Sequence, residues 1–481
     1  MTLFGTAGIR GPVDEVTPSL ALSVGRAAGE PGATFVVGRD GRATGPALAA
    51  AVEAGLESAG ADVYRIGQVP TPALAFASRG RRGVMLTASH NPPTDNGIKL
   101  FADGVEYDRE AERAIEDGVA AESADLAAWS EWGDSSRLEV LDRYRDAVVA
   151  YVRDQFADLG AERNRTSAPL AGLSVAVDCG NGMGSVATPQ VLDRLGADVV
   201  ALNANVDGHF VARESKPTPE TLTDFREFLA ASEASGASNR PSGTAARGSG
   251  EFDLGLAHDG DADRLVVLGP DGEVIHEDTI LAVVAAHYTA ASDAADPVVV
   301  TTPNASARID ERVRAAGGRV ERVRLGALHE GIARESAQGS SDTEVVFAAE
   351  PWKHIHTAFG GWIDAVTGAA VVAALVADAG ETDALREPVT ERPYRKVSVD
   401  CPDAAKADVM AALEADLPRA FPEAAVDTDY GVRLEFEDAS WVLVRPSGTE
   451  PYVRIYAESD AVDELIAEAR EVVERAIAET A

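Results

Sequence analysis

Ser89 and His90 stand side by side just after the apolar run Val84-Met85-Leu86, and Lys99 closes the same segment, Thr87-Ala88-Ser89-His90-Asn91-Pro92-Pro93-Thr94-Asp95-Asn96-Gly97-Ile98-Lys99. A hydroxyl nucleophile with an imidazole and a lysine at hand could carry chemistry, and the same residues also suit a polar turn whose Ser89 only caps a helix. The apolar run predicts a strand, and Pro92-Pro93 and Asn96-Gly97 predict tight turns that hold the serine on a rigid loop. A second cluster, Asp259-Gly260-Asp261-Ala262-Asp263-Arg264, runs into the apolar stretch Leu265–Leu268. Alternating carboxylates can converge on a hard divalent cation. Asp is so common here that the spacing is weak evidence, and the loop is no EF-hand, because Arg264 and Pro270 stand where that loop needs Gly and Glu. A third segment, Arg445-Pro446-Ser447-Gly448-Thr449-Glu450-Pro451, with Arg454 beyond it, is either an anion nest of backbone N–H groups, hydroxyls and guanidinium or an ordinary hairpin turn.

These residues need elements to position them. Three segments share the plan strand, small-residue turn, helix, Gly-containing turn, strand, beginning at Thr34, Ser174 and Val298. Such units imply right-handed crossovers in mostly parallel sheets with ligands at the strands' C-terminal ends. The tail from about Tyr394 reads instead as strands joined by short turns and flanked by helices. The expected fold class is α/β: three tandem similar αβα mixed-sheet domains over 1–156, 157–268 and 269–385, then a smaller C-terminal α+β domain over 386–481. Residues 230–250, rich in Ala, Ser and Gly without apolar periodicity, read as a mobile surface insertion.

Of the 481 residues, 79 are acidic and 43 are Lys or Arg, a formal charge of −36, and only five are lysine. A chain this negative repels nucleic acid and anionic membranes. It repels itself too, unless concentrated salt shortens the Debye length to about 3 Å near 1 M. The expectation is a cytoplasm rich in salt, such as that of a halophilic archaeon. Two cysteines, Cys179 and Cys401, exclude a disulfide framework and fit a reducing compartment. With no signal peptide and no membrane-length apolar run, the reading is a soluble cytoplasmic protein, monomer or homodimer, with no nucleic-acid or membrane partner.

Taken together, Thr-Ala-Ser-His-Asn-Pro with Asn-Gly-Ile-Lys, Asp-Gly-Asp-Ala-Asp-Arg and Arg-Pro-Ser-Gly-Thr resemble, in order, the phosphoserine, metal and phosphate loops of the α-D-phosphohexomutases. Phe4-Gly5-Thr6-Ala7-Gly8-Ile9-Arg10-Gly11 resembles that family's opening signature, and Gly38-Arg39-Asp40-Gly41-Arg42 another of its motifs, read here as structural. The resemblance implies four domains around a central cleft. It also implies phosphoserine at Ser89, one Mg²⁺ on Asp259, Asp261, Asp263 and the phosphoserine, and a hexose 1,6-bisphosphate activator. Arg10 and Arg264 would face the reacting phosphoryl group, with Lys99, His90 and His354 as proton-transfer candidates. Arg445, Ser447, Gly448 and Thr449, with Arg454 the weaker candidate, would hold the non-reacting phosphate.

The family's sugar loop, Gly-Glu-x-Ser-Gly-His, becomes Ala349-Glu350-Pro351-Trp352-Lys353-His354. Glu350 would accept from sugar hydroxyls. Trp352 either stacks on a pyranose or packs, and Lys353 could pair with an acid. The implied activity is an intramolecular phosphotransferase interconverting hexose 1- and 6-phosphates, mannose or glucose. The alternatives are phosphoglucosamine mutase, a metal-dependent sugar phosphatase and a non-catalytic sugar-phosphate sensor.

Overall fold

The computed structural model describes residues 3–5, 8–121, 126–157, 168–236, 252–447 and 450–480. Two compact units emerge, one of residues 1–280 with 352–386, the other of 281–351 with 387–481.

The first unit holds two mixed sheets. Its larger sheet contains β1 (Ile9–Pro12), β2 (Thr34–Arg39), β3 (Asp62–Gln68), β4 (Arg82–Leu86), β5 (Asp95–Ala102), β6 (Val105–Glu106) and β7 (Ser135–Arg137). The order is β1-β5-β4-β2-β3-β7, with β6 paired to β5. β4, β2, β3 and β7 run parallel, while β5 is antiparallel to both β4 and β1. Strand cores of Phe35, Val37, Val63, Val84 and Leu86 are buried with Val52 and Leu56 of the helix Gly45–Ser58, which explains why an apolar run feeds each small-residue turn. The second sheet has β8 (Ser174–Asp178), β9 (Asp198–Leu202), β10 (Leu254–His258) and β11 (Leu265–Leu268) in the order β11-β10-β8-β9. β2, β4 and β10 deliver Asp40, Ser89 and Asp259 just past their C-terminal ends, where open α/β sheets place their chemistry.

The helix Ala365–Ala379, almost wholly Ala, Val and Leu, is buried along nearly its whole length, as an all-round apolar helix must be. Asp364 caps it through Thr367 N–H and also accepts from Tyr144 Oη at 2.8 Å and Trp362 Nε1 at 3.1 Å.

The second unit carries β12 (Asp296–Thr301), β13 (Arg319–Arg322) and β14 (Thr343–Glu350), parallel in the order β13-β12-β14, while the short β15 (Lys353–Ile355) belongs to the first unit. Its other sheet is antiparallel, in the order β16-β20-β19-β18-β17. It comprises β16 (Tyr394–Asp400), β17 (Ala425–Asp427), β18 (Val432–Glu435), β19 (Trp441–Pro446) and β20 (Tyr452–Glu458). Val409, Leu413 and Leu417 on one helix and Ile466, Val473 and Ala476 on another cover it. Among the described residues no helix is long and apolar enough to cross a membrane.

Two sequence expectations fail. Asn96-Gly97 forms no turn but lies inside β5, paired through Gly97 to Arg10 of β1. A Cβ on Gly97 would meet the Thr87 carbonyl oxygen at 2.4 Å and that of Ile9 at 2.6 Å, so the glycine serves close strand approach. Ala230–Gly236, expected to belong to the mobile insertion, completes the helix Thr223–Gly236, because Ala and Glu favour helix even without an apolar stripe. The remainder of that insertion, 237–250, lies outside the described residues.

Candidate active site

Ser89 adopts φ +51°, a left-handed conformation uncommon for a residue with a Cβ. Its peptide is held on both sides. Ser89 N–H donates to Thr87 Oγ1 at 2.9 Å, and its carbonyl accepts from Arg42 Nη2 at 3.0 Å and Ser215 Oγ at 2.9 Å. Asp40 closes the network, accepting from the Thr87 hydroxyl at 2.8 Å and from Arg42 Nε at 3.1 Å. Burial pushes the Asp40 carboxyl up to about 6, against the pull of the Arg42 guanidinium.

So fixed, the Ser89 hydroxyl points into the acid cluster, donating to Asp259 Oδ2 at 2.7 Å and lying 3.4 Å from Asp263 Oδ1. Asp259, Asp261 and Asp263 are buried, and one oxygen from each falls within 4.8 Å of the others. Burial and the neighbouring Asp263 and Asp261 charges hold Asp259 well above the usual carboxylate range. Burial works against ionised Asp263 as well, but Lys99, Lys353, Arg264 and Arg10 outweigh it and pull that carboxyl far down. Asp261 Oδ2 accepts from Thr71 Oγ1 at 2.6 Å, while its buried Oδ1 has no hydrogen-bond partner among the described residues. An unpaired buried oxygen and three crowded carboxylates fit a hard divalent cation, which wants several oxygen ligands.

Lys99, 2% exposed, reaches Asp263 Oδ2 at 3.1 Å, Glu106 Oε1 at 3.3 Å and Asp261 Oδ2 at 3.9 Å. Burial alone would favour the neutral amine, but Glu106, Asp263 and Asp261 raise its pKa above the ordinary lysine value, so Lys99 stays a cation. Gly8 makes room for it, since a Cβ there would lie 3.0 Å from Lys99 Cγ. His90 Nδ1 is 3.3 Å from Ser89 Oγ, and His90 Nε2 is 3.4 Å from Arg264 Nη2. Burial, then the Arg264 and Arg10 charges, lower His90 to about 3, leaving the ring neutral. Because Arg264 can only donate, Nε2 must accept, which leaves Nδ1–H to donate to Ser89 Oγ. Arg264 N–H also donates to Asp259 Oδ1 at 3.2 Å.

The sugar-loop residues divide. Glu350 ends β14 in the second unit. Trp352 and Lys353 belong to the first unit. There Trp352 (φ +69°) gives its carbonyl to Leu265 N–H at 2.9 Å and packs at the edge of the Phe225–Phe252 core, with the Arg264 guanidinium 6.0 Å from its ring centre. Lys353 lies near enough for its charge to act on Asp263 and His90. His354, expected as a proton-transfer candidate, is 2% exposed, and its ring lies against Gly368 of the helix Ala365–Ala379, where a Cβ would come within 2.7 Å of Nδ1. Burial lowers it to about 4, so it sits there as a neutral core histidine.

In the second unit, Arg445 and Arg454 are directly opposite in the β19–β20 ladder. Like charges so placed repel, and each has a buried Nε without a hydrogen-bond partner among the described residues. Tyr456 Oη accepts from Arg445 Nη2 at 3.0 Å, and Glu450 Oε2 from Arg454 Nη2 at 2.9 Å. Lys406 Nζ donates to the carbonyls of Ser447 at 2.7 Å and Glu450 at 2.6 Å, fixing the turn. An anion near the two side chains would relieve the repulsion, and Glu450 already offsets part of it at Arg454. Gly448 and Thr449 lie outside the described residues. Arg445→Met is expected to raise the KM for a sugar phosphate at least about tenfold with a smaller change in kcat, as steady-state kinetics would show.

Sequence reasoning missed Thr71, Glu106 and Ser215, which reach the site only through chain topology and lie in no motif. The family models for phosphoglucomutase/phosphomannomutase alpha/beta/alpha domain I, alpha/beta/alpha domain II and the C-terminal domain match residues 1–125, 142–272 and 397–476. The chain is 38% identical over 489 residues to the "Phosphopentomutase" of Thermococcus kodakarensis, spanning 100% of this chain and 99% of that protein. It is also 38% identical over 491 residues to the "Probable phosphoglucosamine mutase" of Methanopyrus kandleri, at 99% and 98% coverage. Its fold matches the crystal structure of a phosphoglucomutase/phosphomannomutase family protein from Burkholderia thailandensis with TM-score 0.81 at 24% identity, covering 100% of this chain and 97% of that one. With the serine, the acid triad and the arginine pair each placed on the elements those domains supply, the chain belongs to the phosphoglucomutase/phosphomannomutase family of the α-D-phosphohexomutases.

Proposed function

We propose that this phosphomutase interconverts the 1- and 6-phosphates of a hexose, mannose or glucose, through phosphoserine at Ser89 and a bound 1,6-bisphosphate. The observation that carries the reading is the Ser89 hydroxyl held 2.7 Å from Asp259 beside a buried acid triad ringed by fixed cations. Asp259, Asp261, Asp263 and Ser89 would hold Mg²⁺, which when bound neutralises charge on the phosphoryl oxygens. In the forward step the Ser89 Oγ–P bond breaks as a P–O bond forms to the sugar's free hydroxyl, and that hydroxyl's proton ends on Ser89 Oγ, so a phosphoserine and an alcohol become a serine and a phosphate ester. After the bisphosphate turns round, its other phosphoryl group returns to Ser89. His90 Nδ1–H donates to Oγ and so stabilises the serine oxygen as it leaves, while Lys99, Arg10 and Arg264 keep the surroundings cationic. The Arg445–Arg454 pair would hold the non-reacting phosphate. The four-domain partition at residues 156, 268 and 385 belongs to this reading.

A second reading, for a pentose or an amino sugar, draws on two observations: the names of the two 38%-identical relatives and the replacement of Ser-Gly by Trp352-Lys353 in the sugar loop. Turnover of mannose, glucose, glucosamine and ribose 1-phosphates in molar KCl with Mg²⁺ and a trace of the matching bisphosphate separates them. Fast conversion of the mannose and glucose esters supports the hexose reading. A ribose or glucosamine preference replaces it and makes Lys353→Gly the specificity variant to measure. Steady phosphate release exceeding isomerisation would mark a phosphatase.

The charge of −36 further supports a protein built for concentrated salt. Dialysis from molar KCl to dilute buffer is expected to unfold or inactivate it, followed by circular dichroism and activity; an unchanged fold and unchanged turnover would refute that reading.

A further inference from the structure

Arg42 makes no contact with the acid triad, yet it is among the most enclosed side chains, 1% exposed. Its Nη2 donates to the carbonyls of Ser89 at 3.0 Å and Asn91 at 2.7 Å, and its Nη1 to the carbonyls of Asp95 at 2.9 Å and Pro92. Nε is spent on Asp40, and the Phe210 ring covers the guanidinium, 5.1 Å from Cζ to the ring centre. One planar fork thus gathers four peptide carbonyls spread over the whole loop that presents Ser89. A lysine, with one compact ammonium, cannot span them.

The loop needs this restraint. Ser89 at φ +51° is in a conformation uncommon for a residue with a Cβ, one that persists only where the surroundings over-determine it. On the far side Gly260 leaves the necessary space: a Cβ there would meet Ser215 Oγ at 2.6 Å and the Ser89 carbonyl oxygen at 2.7 Å.

We propose that Arg42 is the positioning residue of the phosphoserine loop, aiming the phosphoryl group on Ser89 at a sugar hydroxyl rather than at water. The inference rests on the phosphoryl-transfer reading above. A sugar hydroxyl is held at one place, so a misplacement of about 1 Å costs on the order of 100-fold. Water carries no such constraint. Loosening the loop therefore slows isomerisation more than hydrolysis.

The test uses the full chain in molar KCl, with the sugar ester that the unsubstituted protein turns over fastest. Arg42→Met, Arg42→Lys and Ser215→Ala are compared for isomerisation, phosphate release from the phosphorylated protein and melting temperature. Arg42→Met is expected to lower the kcat for isomerisation by about 100-fold with KM within about threefold, and to raise the ratio of phosphate release to isomerisation at least about tenfold. Arg42→Lys should fall between, and Ser215→Ala should move the ratio the same way by less. An unchanged ratio in folded Arg42 variants would overturn the proposal, leaving Arg42 a stabilising residue only. If Arg42→Met does not fold, an unmoved ratio in both Arg42→Lys and Ser215→Ala overturns it equally. Failure of the underlying reading looks different, because the unsubstituted protein would then neither isomerise nor carry phosphate on Ser89.

Discussion

Ser89→Ala is expected to lower mutase turnover by at least about 10³-fold, the scale on which a covalent catalyst loses its nucleophile, while leaving the fold intact. The local geometry makes this a clean test. The hydroxyl's partners are Asp259, Asp263 and the His90 ring, whereas the bonds that fix the loop run through the Ser89 backbone and survive the change. Melting within a few degrees of the parent and binding of sugar phosphate should persist. A variant retaining a tenth of parental turnover would place the nucleophile elsewhere.

Lys99→Met is expected to damage both stability and activity. Lys99 Nζ is buried between Asp263, Glu106 and Asp261, and removing one partner of a buried ionic cluster costs roughly 3–5 kcal/mol because the remaining charges lose their compensation. Asp263, held ionised largely by that ammonium, would then bind a proton more readily and make a poorer cation ligand. Turnover should fall on the order of 100-fold, and Mg²⁺ affinity by calorimetry should fall with it. Glu106→Gln, which leaves the Lys99–Asp263 contact in place, should be milder on all three counts. Turnover of Lys99→Met within about threefold of the parent, with unchanged Mg²⁺ affinity, would remove Lys99 from the site.

Much of this site could be read in the sequence because its parts are contiguous. The serine loop and the acid loop each fit within one short turn after an apolar strand, so residue type and spacing carry their chemistry directly. Other parts depend on topology. Glu106 reaches Lys99 because β6 folds back on β5, and Thr71 reaches Asp261 from the start of a helix remote in sequence. Neither belongs to a pattern of its own.

Asn96-Gly97 misled because turn chemistry and close strand packing call for the same residue, and only the strand neighbours decide between them. For Arg42, the motif was visible as structural, but not the four carbonyls it gathers, which come from a different loop.

The measurement that tests the account most directly is the intact mass of the protein after incubation with glucose 1,6-bisphosphate and Mg²⁺ in molar KCl, with peptide mapping of the modified residue. The account predicts one added phosphoryl group, located on Ser89, lost again when a sugar monophosphate is supplied and absent from Ser89→Ala. A protein that isomerises sugar phosphates while never carrying phosphate on Ser89, or that carries it on another residue, would contradict it.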